Sequence, residues 1–151
     1  MKMLRVIYLI VFAVIINYAS IDAQDIEIHY LIGKKQNDVT KKYGNPVHKD
    51  NSNPDMVCMF YKNPNGTMVF VADKQGVYQA EANVAYNTET DARNVIDHFI
   101  QSSISNEFQT DTVTINDFKL HITGVNVELH IAENRINKKF EVRVKANRTE
   151  N

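Results

Sequence analysis

Leu31 to Pro46, LIGKKQNDVTKKYGNP, is the stretch on which the reading of the fold turns. Val39 and Tyr43 stand four residues apart and share a helical face, while Lys34, Lys35, Asn37, Asp38, Lys41 and Lys42 fall mostly elsewhere. Gly44 provides a left-handed cap, and Pro46 blocks any continuation. A helix this short has too small an apolar face to stand alone, so the β-rich sequence after it must cover Val39 and Tyr43.

Upstream, Met1 to Gln24 carries Lys2 and Arg5, then an apolar run from Val6 to Tyr18, then small and polar residues through Ala23. The run is shorter than the roughly 20 residues that span a bilayer. It therefore reads as a cleaved signal peptide, residues 1–24, followed by a single domain, residues 25–151. Position 24 is glutamine, so a lipidated cysteine is not available there. Cys58 is the one cysteine of the chain, which excludes an internal disulfide and suits a bacterial envelope protein. Cleavage removes Lys2, Arg5 and Asp22 from 17 basic and 18 acidic residues, leaving 15 and 17. That balance argues against a nucleic-acid partner or an anionic membrane surface, and no transmembrane span is expected after cleavage.

Downstream, Asp25 to Leu31 alternates as a short strand or extended lead-in, with His29 on its polar side. Val47 to Asp55 reads as a loop. Met56 to Tyr61 is a strand, Asn63 to Gly66 the strongest hairpin signal, and Thr67 to Ala72 the returning partner. Val77 to Tyr86 alternates, and Ala80 and Ala82 on its dry face leave room for a helix. Thr88 and Asp91 resemble a capping box, after which Ala92, Val95, Ile96, Phe99, Ile100 and Ile104 recur at helical spacing. From Phe108 onward the period returns to two, giving a meander whose last strand carries Lys139, Arg143 and Lys145 as protection for an exposed edge. The expected fold is α+β, two helices packed on an antiparallel sheet, in the order helix, three strands, helix, three or four strands.

The spacing Gly33, Val39, Gly44, Pro46, followed by Phe60-Tyr61, a strand and a Gly-ended turn, resembles small outer-membrane assembly lipoproteins of the SmpA/OmlA (BamE) type, and the related fold of the β-lactamase inhibitory protein. The resemblance covers Leu31 to Ala82 and implies a small α/β sandwich used for protein contacts in the envelope. Lys35 stands where that family has a Ser or Thr cap.

Chemistry-bearing residues are sparse. His121 and His130 should lie on the wet face of the meander without a zinc spacing, and Cys58 sits in an apolar strand with no adjacent base. Ser102, Ser103 and Ser105 lack a nucleophile-elbow context. No cofactor or metal site and no catalytic residue is expected. The leading expectation is an exported, non-catalytic interaction module, periplasmic or extracellular. It would be an assembly accessory or inhibitor-like binder that contacts another envelope protein through Met59, Phe60, Tyr61 and Phe70. The alternative is a small-ligand binder with a pocket between the second helix and the sheet, lined by Tyr78, Tyr86 and Phe99.

Overall fold

The computed structural model describes residues 26–149, so the expected signal peptide lies outside the described residues. A single 3-10 turn, Ile28–Leu31, leads into α1, Gln36–Tyr43. Four strands follow: β1, His48–Asp50; β2, Val57–Asn63; β3, Gly66–Asp73; β4, Gly76–Tyr86. The long helix α2, Glu89–Ser105, precedes β5, Gln109–Thr112; β6, Asp117–Ile122; β7, Val125–Asn134; and β8, Lys139–Arg148.

All eight strands form one antiparallel sheet in the order β1-β2-β3-β4-β8-β7-β6-β5. The expected order of helix, three strands, helix, three or four strands is therefore corrected to two helix-plus-four-strand units fused into a continuous sheet. Strand β1 is fully exposed, and β5 carries the sequence Gln-Thr-Asp-Thr. Neither has apolar alternation to reveal it; each exists because its backbone pairs with β2 or β6. The seam is the β4–β8 pair, which runs from Gln79↔Asn147 to Tyr86↔Phe140. Strand β8 is thus central, and its outward Lys145 and Arg143 project from a sheet face instead of guarding an edge. The short polar strands β1 and β5 occupy the edges, where little unpaired backbone is offered to another chain.

One face of the sheet is dry. Phe70, Ala80, Ala82, Val84, Leu120, Val127, Leu129, Val142, Val144 and Ala146 are buried there beneath the helices. Helix α2 starts where the Thr88 hydroxyl accepts the Asp91 amide at 3.1 Å. Its buried residues Ala92, Ile96, Phe99 and Ser103 recur at four, three and four residues, a stripe that faces the sheet. The two alanines of β4 let this layer approach closely, as does Ala146 opposite Ala80.

Residues 26–32 form a second, unexpected part of the layer. Ile26, Ile28, His29, Leu31 and Ile32 are all buried, so the lead-in is a core strap in place of a strand. It is tied to β4 by Gly33 N to Val77 O, 2.7 Å, and Val77 N to Lys34 O, 2.8 Å. Helix α1 closes the β2–β3 side: Val39 is buried and the Tyr43 ring lies 5.5 Å from Phe70 and 5.8 Å from Tyr61. Gly44, at φ +77°, ends the helix by returning its amide to Thr40 O. The Tyr61 hydroxyl donates to Gly44 O at 3.2 Å, fastening the end of α1 to the sheet.

Candidate functional site

Among the described residues no helix covers the opposite face of the sheet, and strand alternation brings every second residue onto it. Following the register, Phe60, Val69, Glu81, Lys145, Glu128, Lys119 and Asp111 fall in one row across seven strands. From Glu81 onward the charges alternate in sign at the spacing between strands, about 4.8 Å. Lys145 Nζ is 3.5 Å from Glu81 Oε1, one link of that row. The adjacent row is mostly amide: Gln79, Asn147, Asn126, His121 and Gln109. A shallow depression between β5, β6 and β7 is lined by Asp111, Lys119, His121, Asn126 and Glu128.

Toward β1 the same face turns apolar. Phe60 is 39% exposed, its ring 5.8 Å from His48; Val47, whose amide donates to Phe60 O at 2.8 Å, and Met56, four residues before Phe60, are exposed as well. Cys58 and Val71 pair across β2 and β3 on this side. The open face therefore carries an apolar strip beside a row of alternating charge.

Of the residues expected to form a partner surface, Phe60 alone is presented there. Met59, Tyr61 and Phe70 are buried on the dry face beneath α1, because alternation sends neighbours in β2 to opposite sides. The motif residue Val39 packs over them, with Gly33, Gly44 and Pro46 shaping the segments at its two ends. The residues expected to line a pocket are spread apart. Tyr78 and Tyr86 are eight residues apart on β4, which is roughly 27 Å along a strand. Tyr78 lies 5.8 Å from the Arg148 guanidinium, which pairs with both carboxylate oxygens of Asp73, and Phe99 is packed in the core beneath α2. The ion pair with Arg148 holds the Asp73 carboxyl below its ordinary range.

The buried polar pair His29 and Ser103 escaped sequence reasoning. His29 Nε2 is 3.1 Å from Ser103 Oγ, and the imidazole rests among Tyr30, Phe99 and Phe108, with centroids 3.9, 4.4 and 5.1 Å away. The serine hydroxyl donates its one proton to Phe99 O at 2.8 Å, so it can only accept from the imidazole. A serine spent in this way and fully buried is a structural fastener between the strap and α2, and no activated nucleophile. The stripe spacing that buries Ser103 was the signal that could have found it, since a polar side chain there demands a partner. His130 Nδ1 meets Asp117 Oδ1 at 2.5 Å, and Thr114 Oγ1 donates to Asp117 Oδ2 at 2.6 Å. Those bonds, Thr114 first, hold the Asp117 carboxyl below its usual range. Among the described residues, no three His, Cys, Asp or Glu side chains converge to hold a metal ion.

The chain matches no family model. No curated protein matches it either. Solved structures that match include a cysteine-rich secretory protein from Staphylococcus aureus subsp. aureus Mu50, TM-score 0.42 and 10% identity over 76% of this chain and 44% of that one. Another is an extracellular protein containing an SCP domain from Bacillus anthracis str. Ames, TM-score 0.42 and 11% identity over 80% of this chain and 46% of that one. The chain spans less than half the length of either protein. A likeness of this size assigns no family and no function. Among the described residues, no helix is long and apolar enough to cross a membrane.

Tyr86 supplies a test of how completely the helix–sheet interface is filled. Its hydroxyl is buried without a hydrogen-bond partner among the described residues, and burial pushes its pKa up to about 12. Tyr86→Phe removes that unsatisfied group and is expected to stabilise the fold by about 1 kcal/mol at neutral pH. A folded-state pKa above the unfolded value means that this residue's share of stability is intact below about pH 10 and is lost as pH rises toward 12. Urea midpoints at pH 7 and pH 11 should therefore diverge less in the variant than in the parent. A lower midpoint in the variant at pH 7 would show that the hydroxyl has a partner.

Proposed function

We propose that this chain is an exported, non-catalytic protein-interaction module of the bacterial envelope, an assembly accessory or inhibitor-like binder, and that the open sheet face is its contact surface. The observation that carries the reading is the asymmetry of the sheet. One face is covered by α1, α2 and the strap, while the other presents Phe60 and its apolar neighbours beside the alternating row Glu81, Lys145, Glu128, Lys119 and Asp111. An aromatic anchor gives affinity by burial, and an ordered charge row rejects partners of mismatched sign. The partner is another envelope protein with a complementary charge pattern. A non-catalytic role is supported by the Ser103–His29 pair, which is sealed in the core with the serine proton already committed.

The test is affinity capture from envelope extract by the exported protein, compared with Phe60→Ala and with Lys119→Glu/Lys145→Glu. All three positions are exposed, so the variants should keep the parent circular dichroism and melting temperature. A defined partner held by the parent and weakened tenfold or more by Phe60→Ala is the expected result, since truncation of an aromatic anchor costs about 2 kcal/mol or more. A partner retained by both variants would move the contact off this face.

A further inference from the structure

We propose that the end of the sheet bearing the β5–β6 and β7–β8 turns docks on an anionic lipid surface. This is independent of the open-face reading, because it uses different residues. Ile136, at the tip of the β7–β8 turn, is 95% exposed and is flanked by Arg135, Lys138 and Lys139. The tip is held in place: Asn134 Oδ1 accepts the Ile136 amide at 3.0 Å, Lys138 N donates to Asn134 O at 2.8 Å, and Lys138 sits at φ +59°. A large apolar side chain held out in water gains on transfer to a hydrocarbon environment.

The neighbouring turn does the same. Val113 and Ile115 are 57% and 74% exposed. Asn116 O accepts the Ile131 amide at 3.0 Å, which places this turn beside β7 three residues before that strand ends. Arg93 of α2 secures it from the other side, donating to Ile115 O at 3.1 Å and to Asn116 Oδ1 at 3.0 Å. Three apolar side chains thus stand at one end of the molecule on two hydrogen-bonded turns.

At the β7–β8 tip the charge is basic. Among the described residues, Arg135 and Lys139 have no carboxylate within ion-pairing distance, and Lys138 reaches Glu133 at 3.9 Å. Of the carboxylates at this end, Glu89 is engaged by Arg93, Asp117 by His130 and Thr114, and Glu141 by Asn134 and Arg143, while Asp111, two residues before Val113, has no ion pair among the described residues. The slightly negative net charge of the whole chain therefore does not describe the β7–β8 tip. An apolar tip flanked by the unpaired Arg135 and Lys139 suits an interface in which Ile136 enters the acyl boundary and the two cations meet phosphate headgroups.

The test is co-sedimentation of the exported protein with vesicles of phosphatidylcholine alone or mixed with phosphatidylglycerol, at low and high salt. Binding to the mixed vesicles is expected, weakened by salt, reduced about tenfold by Ile136→Asp and by a similar factor in Arg135→Glu/Lys139→Glu. Ile104→Asp, at an exposed position near the opposite end of α2, is expected to bind as the parent does. Circular dichroism confirms that each variant is folded. The proposal is overturned by no binding to mixed vesicles at low salt, by binding that Ile136→Asp leaves intact, or by equal loss with Ile104→Asp.

Discussion

Gly76→Ala is expected to destabilise the protein by about 3 kcal/mol or more. A Cβ at this position would lie 2.7 Å from Lys34 O and 2.8 Å from Gly33 O, both main-chain atoms, and the residue sits at φ +122°. No side-chain rotation can relieve such a contact. The backbone must move, and what moves is the strap. Shifting it breaks the two hydrogen bonds that join Gly33 and Lys34 to Val77, and uncovers Ile28, His29 and Leu31. Gly44→Ala is the internal comparison, because Gly44 also has positive φ but nothing lies within 4 Å of its missing Cβ. Strain without a clash should cost about 1–3 kcal/mol, to which Gly76→Ala adds the clash. Urea unfolding of both variants measures the difference; equal midpoints would mean that the strap is not clamped to β4.

Phe99→Ala is the second large effect, with an expected loss of about 3–5 kcal/mol. Phe99 is 1% exposed, and its ring touches the imidazole of His29 at 4.4 Å between centroids. Truncation leaves a cavity among the strap, α2 and the sheet, and these elements cannot all collapse into it, since the strap is tied to β4 by main-chain bonds and to α2 by the His29–Ser103 contact. Ile104→Ala on the same helix is expected to stay within about 0.5 kcal/mol, as a half-exposed position with little to lose. Thermal melts of the pair separate burial from helix propensity. A Phe99→Ala protein that melts near the parent would place the core elsewhere.

Helix α2 and the Asn63–Gly66 turn were legible because their signals are local: a capping threonine followed by a stripe, and residues that accept a tight turn. The dry faces of β4, β6, β7 and β8 were legible for the same reason, since alternation is written in each strand. Strands β1 and β5 were not, because an edge strand held by backbone pairing alone leaves no pattern in its side chains. The position of β8 was hidden as well. Alternation says which side chains are wet but not which strands stand beside them, and Arg143 and Lys145 read equally well as edge guards. In the candidate site, the aromatic cluster was found but its sides were merged: Phe60 and Tyr61 are adjacent in sequence and separated by the thickness of the sheet. The inward turn of His29 depends on Ser103, 74 residues away, and no local window contains both.

The sheet order also fixes a sequence of events. The first helix-plus-meander unit ends in β4, whose outer edge is completed only by β8, the last described strand. A chain emerging N-terminus first would hold that edge open through the synthesis of the entire second unit, and the strap's bonds to β4 would form before the seam does. Closure is thus postponed until β8 is made. The same arrangement makes the final ten strand residues the place where a holdase gains most by binding, because nothing upstream can complete the sheet without them.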